Sequence, residues 1–231
     1  FKEGDTISGS QALLDALVAE GVHTIFGYPG GAIMPIYDAL YDFQDTLKHI
    51  LVRHEQGGIH AAQGYARTSG EVGVAFATSG PGATNLVTGL ADAQIDSTPL
   101  VCITGQVFAH LLGTDAFQET DVINVTMPVT KWNYQVTDAT QLPAVLAKAF
   151  FIARSGRPGP VLIDITKNAQ LQHFEYPGYT KCDHLRSYRP KPIIRNEYIE
   201  KAAEIINEAK KPFVIFGQGV ILGKAEREFL D

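Results

Sequence analysis

The stretch Val72-Gly73-Val74-Ala75-Phe76-Ala77-Thr78-Ser79-Gly80-Pro81-Gly82-Ala83-Thr84-Asn85 opens as an unbroken run of small and apolar residues and breaks into a glycine-rich turn. Such a run does not alternate between polar and apolar, so it reads as a strand covered on both faces, the situation of a parallel sheet sandwiched by helices. Similar runs stand at 24–28, 49–53, 100–105, 131–136 and 161–165, and each but the last is followed by a helical period or a long loop. The expected fold is α/β: a parallel six-stranded sheet with helices on both faces, followed by the start of a second α/β domain.

Two helices anchor this reading. In the first, Leu13, Leu14, Leu17 and Val18 form one stripe, Ser10 is placed to cap it and Gly21 to end it. In the second, Leu142, Val145, Leu146, Ala149, Phe150 and Ala153 share a face, with Pro143 acceptable in the first turn. After Thr166 the pattern dissolves into polar and proline-containing sequence. The expected domains are 1–175, a linker at 176–192, and 193–231 as the beginning of a further domain. In that last part Ile199, Ala202, Ala203, Ile206 and Ala209 repeat at helical spacing, and 212–217 reads as a buried strand.

Composition limits the function classes. Of 231 residues 45% are hydrophobic and 19% charged, which excludes intrinsic disorder. The net charge of -6 without a Lys/Arg stripe argues against a nucleic-acid partner. No apolar run approaches the roughly 20 residues of a membrane span, and the start does not read as a signal peptide, so a cytoplasmic protein is expected. Two cysteines make no disulfide framework.

In a parallel sheet, chemistry gathers in loops at the carboxyl ends of the strands. Three are glycine-rich: Gly27-Tyr28-Pro29-Gly30-Gly31-Ala32, Ser79 to Asn85, and Thr104-Gly105-Gln106. The dinucleotide fingerprint fails because Asn85 stands at its third glycine, and 217–225 misses the P-loop spacing at Gln218 and Ala225. Between the first two loops, Arg53-His54-Glu55-Gln56-Gly57 places Glu55 where a strand hands over to a helix. That carboxylate either helps cap its helix or is a desolvated acid with a chemical task. A zinc-protease motif is excluded, since Gly58 stands where H-E-x-x-H needs histidine, and the histidines form no ligand cluster.

Arg53-His54-Glu55-Gln56-Gly57, Thr78 to Asn85, Gly105-Gln106-Val107, Gly113-Thr114-Asp115-Ala116-Phe117-Gln118-Glu119, Lys131-Trp132-Asn133 and Gly156-Arg157-Pro158-Gly159-Pro160 together resemble the thiamine-diphosphate enzymes. The narrower resemblance is to the catalytic-subunit family of acetolactate (acetohydroxyacid) synthase, densely over about residues 5 to 170. It implies a pyrimidine-binding domain, a central FAD-binding domain and a diphosphate-binding domain with a Mg²⁺ motif, of which this sequence carries the first and the start of the second. The resemblance thus casts the chain as the N-terminal part of a longer enzyme, inactive alone. Its implied reaction is decarboxylation of pyruvate and carboligation to a second 2-oxoacid, pyruvate or 2-oxobutyrate, in branched-chain amino-acid synthesis.

The resemblance makes Glu55, Gln118 and Gly31 catalytic positions, with Glu55 hydrogen-bonded to N1′ of the aminopyrimidine so as to favour its imino form. It assigns Pro81, Gly82 and Asn85 to the pyrimidine, and Tyr28, Pro29 and Gly30 with Gly31 to the border of the thiazolium and the reacting carbonyl. Phe117 and Lys167 fall beside the substrate channel, and Arg157 on FAD. It implies a homodimer or tetramer and leaves open a small regulatory subunit. Two positions depart from the family pattern: Gln63, where an acid is usual, and Phe108, where proline is common. A pyruvate oxidase, a glyoxylate carboligase or a non-catalytic oligomerisation module are the rival readings.

Overall fold

The structure, a computed structural model, describes residues 1–230. It divides into two compact units, Phe1–Pro190 and the remainder from Lys191.

The first unit runs β1 (Thr6–Ser8), α1 (Gly9–Ala19), β2 (Thr24–Gly27), α2 (Met34–Leu40), β3 (Lys48–Leu51), α3 (Glu55–Ser69), β4 (Gly73–Ala77), α4 (Pro81–Thr84), α5 (Val87–Ile95), β5 (Leu100–Gln106), α6 (Val122–Thr126), β6 (Trp132–Val136), α7 (Leu142–Arg154), β7 (Pro160–Thr166), α8 (Lys167–Leu171) and β8 (His173–Glu175). Six strands form one sheet in the order β3-β2-β4-β5-β7-β6, with every neighbouring pair parallel. The expected parallel six-stranded α/β sheet is what forms. β1 and β8 add an antiparallel ribbon that the apolar runs did not announce, three residues each.

Alternation within the central strands divides the interior into two layers. Val74 and Phe76 of β4, Val101 and Ile103 of β5, and Val161, Ile163 and Ile165 of β7 share a core with α1, α2 and α7. Ala75 and Ala77, Leu100 and Cys102, and Leu162 face Ile59, Ala62 and Ala66 of α3 and Leu90 and Ala93 of α5. Helices therefore cover both faces. Leu13, Leu14 and Leu17 of α1 are fully buried, each stabilising the fold by about 1.5–3 kcal/mol through removal from water.

One local expectation is corrected and two others hold. The cap of α1 is Ser8 rather than Ser10: its Oγ accepts the Gln11 N–H at 3.2 Å while Gln11 Oε1 accepts the Ser8 N–H at 2.9 Å. Ser8-Gly9-Ser10-Gln11 spells this reciprocal capping box. Ser10 lies inside the helix, where its hydroxyl donates to the Gln170 carbonyl at 3.0 Å. Gly21 follows the helix at φ +84°, and Pro143 sits in the first turn of α7.

The second unit holds α9 (Asn196–Glu208), α10 (Gln218–Leu222) and α11 (Glu226–Leu230). The expected buried strand at 212–217 is not formed, and Phe213, Val214, Ile215 and Phe216 are exposed. A parallel strand exists only against a neighbouring strand, and this unit contains none among its described residues. Tyr176, read above as linker, is fully buried in the first unit and donates from its hydroxyl to Asp15 at 2.7 Å.

Candidate active site

The chain runs from β2 out to β3 at one edge, then crosses back so that β4 lies on the other side of β2. This reversal makes the carboxyl ends of β2 and β4 the switch point of the sheet, where a crevice opens. The glycine loops after β2 and after β4 flank it, and Glu55 enters from the end of β3.

Three observations bring the loops together. Thr78, the last residue before the Ser-Gly-Pro-Gly turn, accepts the Ala32 N–H on its Oγ1 at 3.3 Å. A Cβ on Gly105 would lie 2.4 Å from the Ala32 carbonyl oxygen, so only glycine lets the end of β5 meet the first loop. Gly80 has φ +53°, and a Cβ there would lie 2.6 Å from the Gln118 carbonyl oxygen. The turn thus requires glycine twice over and rests against the Phe117–Gln118 segment. Gln118 itself is held at φ +59°, a left-handed conformation that side-chain-bearing residues adopt at a cost.

Glu55 is 8% exposed at the first position of α3. The capping alternative is decided by its neighbour: His54 is the cap, its Nδ1 accepting the Gln56 N–H at 3.2 Å. The Glu55 carboxylate instead takes a hydrogen bond on Oε2 from Asn85 Nδ2 at 2.9 Å. Its other oxygen, Oε1, has no donor among the described residues, and a Cβ on Gly82 would lie 3.3 Å from it. A buried carboxylate with one oxygen oriented and one free, beside backbone that carries no side chain, suits the recognition of a flat ring that exchanges a proton.

Lys167, at the start of α8, donates from Nζ to the Gly31 carbonyl at 3.2 Å and lies 6.0 Å from the centre of the Phe108 ring. This joins Lys167, Gly31 and Phe108 at one mouth. Phe117 is 87% exposed. Gln63 is satisfied as a neutral amide: Nε2 donates to the Gly89 carbonyl at 2.9 Å and Oε1 accepts from Arg67 at 3.2 Å.

Two residues near Glu55 were not singled out from the sequence. The Tyr37 hydroxyl and His49 Nε2 are hydrogen-bonded at 3.2 Å, with the rings edge to face. Burial, and then the nearby Glu55 charge, raise the Tyr37 pKa above the usual tyrosine range. Burial lowers that of His49, against an opposing backbone contact with Gly27. No spacing marks such a pair, since Tyr37 and His49 belong to different elements that only the fold brings together.

A family model described as "Thiamine pyrophosphate enzyme, N-terminal TPP binding domain" matches residues 7–125, just over half of the chain. The chain belongs to the thiamine pyrophosphate enzymes. Its relatives include the acetolactate synthase large subunits of Parasynechococcus marenigrum, 53% identical over 222 residues (94% of this chain, 36% of the relative), and of Corynebacterium glutamicum, 50% identical over 224 residues (97% and 36%). That of Pyropia yezoensis is 49% identical over 226 residues (95% and 38%). The chain therefore spans little more than a third of the length of the relatives it matches.

For a thiamine pyrophosphate enzyme the local donor set fits the coenzyme's aminopyrimidine, by the free Oε1 and the bare Gly82 backbone. No three His, Cys, Asp or Glu side chains gather into a group that could hold a metal ion among the described residues. Arg157 is remote from Glu55. It precedes β7 and donates to Ser97 Oγ at 2.7 Å and to the Ile95 carbonyl at 2.8 Å, at the opposite, amino end of the sheet. With two of its five N–H donors used, the exposed guanidinium keeps donors for an anionic group. A groove of about 510 Å³ is bordered by Lys167 and lined by Ser10, Met34, Asp38 and Gln170 among others. It includes neither Glu55 nor the Gly80 turn. No helix among the described residues is long and apolar enough to cross a membrane.

Proposed function

We propose that this chain is the pyrimidine-binding part of an acetolactate synthase, which decarboxylates pyruvate and joins the remaining two-carbon unit to pyruvate or 2-oxobutyrate in branched-chain amino-acid synthesis. The observation that carries the reading is the buried Glu55 carboxylate, held on one oxygen by Asn85 and free on the other, at the switch point of the sheet. The names of the relatives support the choice of reaction.

When bound, thiamine diphosphate supplies the carbon nucleophile and the electron sink that such a decarboxylation needs. Glu55 would hold and return a proton at N1′ of the aminopyrimidine through Oε1, while Asn85, bonded to Oε2, keeps that oxygen from turning toward the ring. Aspartate would fall short of the ring, and glutamine cannot exchange a proton. Pro81 and Gly82 would lie along the pyrimidine, and Tyr28, Pro29, Gly30 and Gly31 would border the thiazolium and the reacting carbonyl. Gln118, Phe117 and Lys167 line the approach of the 2-oxoacid, with the lysine ammonium suited to its carboxylate.

Arg157 serves FAD at the other end of the sheet, and magnesium is held by parts of the enzyme that this chain does not include. The working form is a cytoplasmic homodimer or tetramer, whose pyrimidine-binding domain extends past residue 175 to include the buried Tyr176. In the full-length enzyme, Glu55→Gln lowers acetolactate formation from pyruvate by about 10²-fold or more, the range of a positioned proton transfer. Near-normal turnover in a colorimetric acetolactate assay would remove Glu55 from the mechanism.

A further inference from the structure

Asp164 lies within β7, fully buried on the sheet face that carries α3 and α5, and no ion pair joins it among the described residues. It accepts hydrogen bonds from Thr104 Oγ1 at 2.7 Å, Gln135 Nε2 at 2.9 Å and Gln106 Nε2 at 3.2 Å. Burial raises its pKa while these three hydrogen bonds oppose the rise. A buried acid with neutral partners is not what stability alone selects, because a well-packed apolar residue generally does as well or better there.

What the acid orients is Gln106, itself fully buried at the end of β5. The second Nε2 hydrogen of Gln106 reaches the Thr120 carbonyl at 3.0 Å, and its Oε1 accepts the Val107 N–H at 2.9 Å. With acceptors on its nitrogen and a donor on its oxygen, the amide can stand only one way round. Val107 and Thr120 are the two ends of the loop that carries Phe117 and Gln118, so a single side chain closes that loop. Within the loop, the Glu119 carboxylate accepts the Gly113 and Thr114 N–H groups at 2.5 and 3.3 Å.

We propose that Gln106, aligned by Asp164, is a positioning residue that clasps the 107–120 loop shut and thereby fixes Gln118 and Phe117 over the Gly80 turn. The proposal rests on the acetolactate-synthase reading for what the loop serves, not for how it is held. Asp164 Oδ2 accepts from Gln106 whether or not the carboxyl group is protonated, so the clasp does not depend on that state.

The test uses the full-length enzyme with Gln106→Met, Gln106→Glu, Asp164→Asn and the double exchange Gln106→Glu/Asp164→Asn. Methionine keeps the volume and loses all three hydrogen bonds without adding charge. Amide hydrogen exchange across 107–120 is expected to quicken at least about tenfold in Gln106→Met, with the amides of β5 and β7 unchanged. The KM for pyruvate rises by more than kcat falls. In the double exchange the amide introduced on β7 can donate to the carboxylate introduced on β5, which recovers stability lost in the single variants. That carboxylate nevertheless has no hydrogen for the Thr120 carbonyl, and loop exchange stays fast. Unchanged loop exchange in Gln106→Met overturns the clasp, as does recovery of slow exchange in the double variant. Faster exchange with an unaltered KM also overturns the proposal, by separating the loop from the substrate, and leaves the outcome for Glu55→Gln untouched.

Discussion

Asn85 is the residue on which the acid at the site depends. Its amide reaches Glu55 across 30 positions of sequence, and its own place is set by α4, where Pro81 starts the turn of helix after Gly80. Removing the amide in Asn85→Ala leaves Oε2 without a protein donor and lets the carboxylate rotate. The expected loss in turnover of the full-length enzyme is about tenfold, milder than for Glu55→Gln because the acid itself remains. Steady-state rates for the two variants side by side check the order, and equal losses would mean that Asn85 acts on the ring directly. At this scale the sequence was informative in part. The junction of an apolar strand with a small-residue helix marked Glu55 as desolvated, but whether it capped α3 was open until His54 was seen in that role. The resemblance assigned Asn85 to the pyrimidine, and its contact to Glu55 came only with the fold, because nothing local links the two.

Among the elements, strands buried on both faces were legible because a continuous apolar run has few other uses at that length. Edge features were less so. β3 at the rim ends at Leu51, short of the expected residue 53, since its partner β2 ends at Gly27 and offers no further backbone groups. The run at 212–217 has the composition of a strand and no neighbour to pair with, which composition cannot reveal. His49 on β3 gives this scale a pH prediction. Its pKa is lowered by burial, so below about pH 6.5, the ordinary histidine value, the unfolded chain binds a proton that the folded chain resists. Stability then falls as pH drops through that window toward the lowered folded value, the sign given by the unfolded state holding more protons. Glutamine can accept from Tyr37 and does not titrate. The difference in urea midpoint between the protein and His49→Gln is therefore expected to shift in favour of the variant from about pH 7 to about pH 5. A difference that stays constant with pH excludes a neutral, half-buried His49.

Across the first unit as a whole, the start of the chain is fastened by the segment that follows the sheet. Glu20, at the carboxyl end of α1, has a fully buried side chain and sits where the helix dipole disfavours a negative charge. It is compensated by Arg154 of α7 at 2.6 Å and by the Tyr179 hydroxyl at 2.7 Å. Arg154→Met strands that carboxylate. The Arg154 side chain is 38% exposed, so water shares its charge, and the loss is set at about 2 kcal/mol rather than the larger figure for a fully buried pair. In a domain of this size that lowers Tm by about 4–8 °C. Adding Glu20→Gln, which removes the charge, recovers most of it in a thermal melt.

The sheet, its two apolar layers and the Glu55 crevice are all present within the first unit, yet among the described residues no three His, Cys, Asp or Glu side chains gather into a group that could hold a metal ion. On the proposed reading its glycine turns serve the pyrimidine, and the diphosphate and its magnesium are held by the rest of the enzyme. A coenzyme held at one ring only has no partner for most of its charge, and binding that is not completed cannot orient the reacting carbon. The 231-residue chain by itself is therefore expected to form no acetolactate from pyruvate, even with thiamine diphosphate and magnesium in large excess. Supplying the rest of the enzyme as a separate polypeptide restores formation if the two parts reassociate, and restoration is abolished by Glu55→Gln in the shorter partner. Acetolactate appearing from the short chain alone would show that the diphosphate finds its anchor within these residues, and would move the magnesium site onto them.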